Sequence, residues 1–139
     1  MKRILMSLVI SATLLPAAAW ACDGEMKAEA TIKKTTVGEL AKNSRAKVVD
    51  ANTADFRAKN GTIPGALLLT SATEYAVSEL PAQKDQALVF YCANTMCSAS
   101  DAAAQRASAA GYTNVAVLPE GLMGWKQAGQ KTAAVKPNT

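Results

Sequence analysis

Short apolar segments that alternate with helix-start signals are the feature that most restricts the fold of this chain. The segments are five residues long and span 46–50, 65–69, 87–91 and 114–118. Each is bounded by residues that favour turns. Segments of this kind are typical of strands that are buried on both faces of a sheet.

Four pairs of residues mark predicted helix starts. In each pair a side-chain acceptor precedes an acid by three residues, which is the spacing of a capping box or of a close relative of that motif. The pairs are Thr36 with Glu39, Asn52 with Asp55, Ser71 with Glu74, and Ser98 with Asp101. Strands and helices in alternation predict an α/β fold with a mostly parallel central sheet and helices on both faces. One such domain is predicted over residues 30–130, a length that suits a single core.

The first 21 residues have the features of a secretory signal peptide. Basic Lys2 and Arg3 precede an apolar stretch, and small Ala19 and Ala21 lie at the expected cleavage point. The apolar stretch is short for a membrane span. We therefore expect the mature protein to be periplasmic or secreted.

Cys22 directly follows this cleavage point and begins a polar leader over residues 22–29. An ordinary cut leaves a free N-terminal cysteine, whereas a lipoprotein cut leads to acylation of Cys22. Bulky Trp20 fits the lipoprotein pattern poorly, so soluble export is favoured. Attachment to a membrane is expected only if Cys22 is lipidated.

Charge gives little support to a nucleic-acid partner. Loss of residues 1–21 removes two of the 15 basic residues and leaves 13 against 11 acidic ones, a net charge of +2. The chain has no histidine, and two neighbouring cysteines alone supply too few ligands for a closed zinc site. No metal or cofactor is expected, and a monomer is assumed.

The stretch VFYCANTMCSAS, residues 89–100, joins a predicted central strand to a predicted helix that runs to about Ala110. Ligands of open α/β sheets bind at the carboxyl ends of the strands. The N-terminus of the next helix lies close by, and its unpaired amides stabilise an anion and lower the pKa of a thiol. Cys92 is therefore a candidate thiolate nucleophile; the alternative is a buried apolar cysteine.

Four stretches taken in order resemble the rhodanese-like domain family. VVDAN (48–52), GTIPGA (61–66) and GYTNVAVLPEGLMGW (111–125) resemble its strand end, its turn and its closing segment, and YCANTMCS (91–98) falls at its active loop. The resemblance covers roughly residues 30–130. It implies the rhodanese fold, and the short loop resembles those that handle sulfur rather than the longer, arginine-bearing loops of related phosphatases.

The resemblance also implies a reaction. Cys92 takes sulfur from a thiosulfate-type donor, holds it as a persulfide and passes it to a thiophilic acceptor, a thiol or a protein. The backbone of the loop is expected to cradle the anionic sulfur; its residues are Ala93, Asn94, Thr95, Met96, Cys97 and Ser98. The sulfurtransferase activity is thus an expectation that rests on the family resemblance.

Four positions depart from the family pattern. Thr62 and Asn52 replace a histidine and an arginine, changes that we interpret as structural. Thr95 stands where the loop often has a glycine, and Cys97 where it often has an arginine that attracts anionic donors. We therefore expect poor turnover of thiosulfate.

Cys97 opens a second hypothesis. A thiol five residues from a reactive Cys92 can close to a disulfide if the Cα atoms approach within about 7 Å. The protein is then a thiol redox switch or exchange partner, or Cys97 resolves the persulfide and releases sulfide. The third alternative is a permanent disulfide in a non-catalytic binding module.

A few other residues are interpreted individually. Trp125 and Phe56 are predicted to pack in the core. Arg57 and Lys59 are predicted to be solvated charges, with guidance of an anionic donor as the alternative. Met96 is expected to make the mouth of the pocket apolar. Residues 131–139 are predicted to form a disordered tail.

Overall fold

Five short parallel strands form the centre of the computed structural model, which describes residues 31–135. The strands are β1 (Lys33–Lys34), β2 (Lys47–Asp50), β3 (Leu67–Leu68), β4 (Leu88–Tyr91) and β5 (Val115–Leu118). Their order across the sheet is β1-β5-β4-β2-β3, and every pair is parallel. The predicted α/β class and parallel sheet are confirmed. The signal peptide, the polar leader and Cys22 lie outside the described residues.

Helices pack on both faces of this sheet, as predicted. They are α1 (Val37–Lys42), α2 (Ala54–Asn60), α3 (Ala99–Ala109) and α4 (Gly121–Gln127), with one 3-10 turn at Val77–Glu79. Successive side chains of a strand point to opposite faces. In β4, Leu88 and Phe90 therefore join the core under α3, whereas Val89 and Tyr91 join the core under α1 and α4.

The predicted helix starts meet different outcomes. Thr36 and Glu39 form a reciprocal capping box at α1. The second helix begins one residue later than predicted, because the Thr53 hydroxyl, rather than Asn52, accepts from the Phe56 amide at 3.3 Å. Ser98 directly precedes α3, as predicted, but its side chain makes no capping hydrogen bond.

The helix predicted after Ser71 is wrong. The Ser71 hydroxyl accepts from the amides of Thr73 and Glu74, at 3.3 and 3.1 Å, but the chain forms a turn there. A serine oxygen satisfies the same amides in a turn as in a first helical turn, so the signal does not distinguish the two. Glu79 closes the segment by accepting from the Thr70 amide at 2.9 Å.

The first residues after α4 are anchored, where the sequence predicts the beginning of a disordered tail. Trp125 Nε1 donates to the Lys131 carbonyl at 2.8 Å, and Ala133 forms a two-way backbone bridge with Thr62. The predicted packing of Trp125 in the core is confirmed. Residues 136–139 lie outside the described part of the chain. Among the helices of residues 31–135, none is long and apolar enough to cross a membrane.

Candidate functional site

Cys92 lies at the carboxyl end of β4, the strand between β5 and β2 in the sheet. Its side chain is 1% exposed. The chain then forms a loop over residues 93–98 and enters α3 at Ala99. The predicted order of strand, cysteine, loop and helix is the observed one, and it places the Cys92 sulfur at the sheet edge where open α/β proteins bind ligands.

The N-terminus of α4 holds the first residues of this loop. The amides of Leu122 and Met123 donate to the carbonyls of Cys92 and Ala93, both at 2.9 Å. Gly121 makes this approach possible, because a Cβ there would lie 2.5 Å from the Cys92 oxygen, and its φ is +58°. Sequence reasoning noted a glycine-bearing turn here but did not connect Gly121 with the loop.

Asn94 organises the middle of the loop. Its carbonyl accepts from the Cys97 amide at 3.1 Å, and its side-chain oxygen accepts from the Met96 amide at 3.0 Å. Two of the amides expected to cradle an anion are therefore engaged within the loop. Thr95 causes no strain where a glycine is often found, since no non-glycine residue in the described range has a positive φ.

The second loop cysteine meets the first. Cys92 and Cys97 form a disulfide, and their Cα atoms are 6.2 Å apart, within the usual range for such a bond. The Cys92 sulfur also lies 3.0 Å from the Cys97 carbonyl oxygen. Cys97 is half-buried, whereas neighbouring Met96 is 93% exposed.

Ser100, in the first turn of α3, is a site residue that sequence reasoning missed. Its hydroxyl oxygen lies 3.4 Å from the Cys92 sulfur, and the residue is 2% exposed. A signal for it exists in the sequence. Ser100 shares helical spacing with Ala103, Ala104 and Ala107, the buried face of α3, so a hydroxyl on that face faces the core beside the loop.

A buried polar cluster lies behind the strand ends. The fully buried Asp50 carboxylate accepts from the Thr62 hydroxyl at 2.8 Å, from both Asn52 nitrogens at 2.8 Å, and from the Tyr91 hydroxyl. Burial, followed by the Asp50 charge, raises the pKa of Tyr91. Tyr91 precedes Cys92 directly, so the cluster fixes the strand end from which the loop leaves.

Arg57 belongs to this cluster, and the prediction of a solvated charge is wrong. It is 7% exposed, its Nε lies 3.8 Å from Asp50, and its guanidinium donates to the carbonyls of Asn52 and Leu69. Lys59, on the same helix, is exposed as predicted. Phe56 is only half-buried, although it packs against the core as predicted.

The remaining loop side chains face outward. Asn94, Thr95, Met96 and Ser98 are exposed, so any contact with a ligand near Cys92 falls to the backbone, Cys97 and Ser100. Within residues 31–135, no three side chains of the metal-binding types come close enough to hold an ion.

Known proteins share this fold. The model of the rhodanese-like domain family matches residues 34–128. No curated protein matches. Among solved structures, a rhodanese-like domain from Anabaena sp. is 18% identical with a TM-score of 0.58, over 76% of this chain and 85% of that one.

The names of two further solved structures refer to an enzymatic activity. Thiosulfate sulfurtransferase from Pseudomonas aeruginosa is 23% identical with a TM-score of 0.61; the match covers 77% of this chain but 21% of that protein. A Rhodopseudomonas palustris CGA009 protein of unknown function, named a possible tyrosine phosphatase, is 22% identical with a TM-score of 0.58, over 73% and 85% of the two chains. Identities this low establish the shared fold alone.

Proposed function

The chain belongs to the rhodanese-like domain family, and from this membership we propose that it transfers sulfur through a persulfide on Cys92. The Cys92 thiolate attacks the outer sulfur of a thiosulfate-type donor. The bond between the two donor sulfurs breaks, and sulfite leaves with its electron pair. A thiophilic acceptor then takes the sulfur from Cys92. Covalent catalysis of this kind divides one transfer into two steps.

The observation that carries the proposal is the position of the Cys92 sulfur. It lies at the end of central strand β4, between the loop and the first turn of α3. A hydroxyl donor stabilises negative charge on sulfur. The Ser100 hydroxyl, 3.4 Å away, is such a donor.

Burial of Cys92 favours a small donor. With 1% of the residue exposed, its sulfur is reached more readily by a compact anion than by a protein. Addition of an outer sulfur then extends the reactive atom away from the Cys92 backbone. A persulfide therefore also helps to explain how a buried cysteine can serve a larger acceptor.

Phosphate chemistry, which the name of one structural neighbour suggests, receives less support. Arginine binds phosphate through a planar fork of donors. No arginine occurs between residues 92 and 98, and Cys97 occupies the position before the α3 boundary residue Ser98. The loop therefore offers a phosphate group no such fork of donors.

Transfer of sulfur from thiosulfate to cyanide, followed as thiocyanate, tests the proposal. The reduced Cys97→Ser variant, in which no second loop thiol competes for the sulfur, should form thiocyanate, and the Cys92→Ser, Cys97→Ser double variant should form none above the uncatalysed rate. Ser108→Ala in the Cys97→Ser background is the matched control, since Ser108 lies in the last turn of α3, away from the loop; it should keep the rate of Cys97→Ser. Equal rates for the double variant and Cys97→Ser would refute the proposal.

A thiol redox function is the second candidate, and the Cys92–Cys97 disulfide favours it. Export, which residues 1–21 predict, would place this pair in a compartment where disulfides persist. Equilibration with dithiol buffers of graded potential tests this function. One reversible two-electron transition that disappears in both Cys92→Ser and Cys97→Ser would support it, and the absence of any transition would exclude it.

A further inference from the structure

We propose that Cys97 resolves the Cys92 persulfide and releases its outer sulfur as hydrosulfide. This inference rests on the proposed function, because it starts from a sulfur-loaded Cys92. It adds a distinct activity. The protein then reduces a sulfane sulfur at the expense of a dithiol, instead of only passing that sulfur to an outside acceptor.

The contact between the two sulfurs is the first argument. The disulfide between Cys92 and Cys97 forms with the strand, loop and helix in their described positions, and the Cα separation of 6.2 Å suits it. The product of the resolving step is therefore compatible with the fold. No rearrangement of β4 or α3 is needed to reach it.

The loop keeps Cys97 in this position. Asn94 accepts from the Cys97 amide at 3.1 Å and from the Met96 amide at 3.0 Å, so a closed turn directs the chain back towards Cys92. The start of the loop is fixed by the bonds from Leu122 and Met123 to the carbonyls of Cys92 and Ala93. Both thiols thus belong to one ordered segment.

Burial decides which acceptor reaches the sulfur first. Cys92 is 1% exposed, so an outside protein thiol that attacks the inner sulfur has to approach an atom that the fold largely covers. Cys97 already contacts that sulfur. Groups joined by a short chain segment have effective concentrations of the order of millimolar or higher. Attack by Cys97 is therefore expected to be faster than attack by a dilute outside thiol.

The chemistry of the step balances without another reactant. The Cys97 thiolate forms a bond to the inner sulfur of the persulfide, which is Cys92 Sγ. The bond between the inner and outer sulfurs breaks, and the outer sulfur leaves as hydrosulfide with the electron pair and its own proton. The outer sulfur is reduced by two electrons, and the cysteine pair is oxidised to the disulfide.

A dithiol reductant returns the protein to its starting state. One thiolate of the reductant attacks Cys97 Sγ, since Cys97 is half-buried and Cys92 is fully covered. Cys92 leaves as a thiolate, and the second thiol of the reductant then closes its own disulfide and frees Cys97. In sum, thiosulfate and a dithiol become sulfite, hydrosulfide and an oxidised dithiol.

The exposed methionine beside Cys97 supports a protein as that dithiol. Met96 is 93% exposed and, with Leu68, is one of two large apolar side chains exposed in the described residues. A flexible thioether suits contact with varied apolar surfaces. Approach of a partner thiol to Cys97 brings the partner surface against Met96.

A single-turnover experiment tests the inference. Cys22 is replaced by serine, so that only Cys92 and Cys97 remain of the three cysteines. The reduced protein, freed of reductant, is mixed with thiosulfate, and samples are alkylated at intervals for intact mass and hydrosulfide measurement. We expect one hydrosulfide per protein and loss of two hydrogens from the parent. Cys97→Ser should keep the added sulfur at least about 100-fold longer, and Ser108→Ala, in the last turn of α3, should match the parent.

The outcomes separate this inference from the proposed function. If the parent retains its added sulfur as long as Cys97→Ser does, the inference fails, and sulfur loading on Cys92 stands. Disulfide formation without hydrosulfide also overturns it. If neither the parent nor Cys97→Ser gains sulfur, the proposed function itself fails.

Discussion

The Ser100 hydroxyl oxygen lies 3.4 Å from the Cys92 sulfur, and both residues are almost completely buried. Cys92 ends the central strand β4, and Ser100 belongs to the first turn of α3. This hydrogen bond therefore links the strand end to the helix across the loop. In the proposed reaction this bond stabilises charge on the sulfur.

Ser100→Ala in the Cys97→Ser background, where Cys97 cannot divert the sulfur, tests this relationship. A hydrogen bond to a charged group contributes about 1.5–3 kcal/mol, so we expect kcat for thiocyanate formation to fall about tenfold or more. KM for thiosulfate should change little, because the hydroxyl acts on the cysteine sulfur. Ser108→Ala in the same background, which alters a serine in the last turn of the same helix, should leave both constants unchanged. An equal loss in the two variants would contradict the role of Ser100.

Gly121 is predicted to be essential for the position of the loop. In Gly121→Ala the new Cβ meets the Cys92 oxygen at 2.5 Å and the Ala93 oxygen at 2.8 Å. Gly129→Ala is the matched control, since its φ is also positive, at +74°, but no atom lies within 4 Å. The control should lose about 1 kcal/mol in urea unfolding. Gly121→Ala should lose about 2 kcal/mol more; equal losses would show that the contact is unimportant.

Arg57 is predicted to stabilise the fold through the buried Asp50 carboxylate, 3.8 Å from its Nε. Removal of one partner from a buried ion pair costs about 3–5 kcal/mol, because the other charge is left unpaired. Arg57→Met should lower the free energy of unfolding by about that amount. Lys59→Met, at an exposed site of the same helix, should change it by less than about 0.5 kcal/mol. Similar values for both variants would contradict the assignment.

Alkaline pH is predicted to destabilise the protein through its buried tyrosines. Burial raises the pKa of Tyr75 to about 12 from 10, so the folded state holds the phenol proton more tightly than the unfolded state does. This stabilisation is complete below about pH 10 and is lost as the pH rises towards about 12. Tyr91 acts in the same direction. Urea unfolding of Tyr75→Phe should show a shallower loss with pH than the parent, whereas parallel curves would contradict the prediction.

Local sequence signals were sufficient for the parts of the site that depend on neighbouring residues. The apolar run ending at Tyr91, the loop after Cys92 and the helix end near Ala110 follow from burial and turn chemistry within a few residues. The short apolar segments bounded by turn residues likewise predict the parallel sheet. These elements therefore agree with the structure.

Contacts between distant segments account for the differences. Arg57 is a charged residue on a short helix, which locally indicates a surface position. It nevertheless pairs with Asp50 and donates a hydrogen bond to the Leu69 carbonyl, and both partners lie in other segments of the chain. Ser71 offers the same acceptor to a turn as to a helix. The Ala133 bridge to Thr62 pairs segments about 70 residues apart, and no local pattern signals it.

The most direct test of the account is to locate the sulfur added to Cys97→Ser after treatment of the reduced protein with thiosulfate. Intact mass gives the number of added sulfur atoms, and mass spectrometry of the tryptic peptide that spans residues 85–106 gives the residue that carries them. The account predicts one sulfur atom, on Cys92, and none in the Cys92→Ser, Cys97→Ser double variant. An unchanged mass, or sulfur on Cys22 alone, would contradict it.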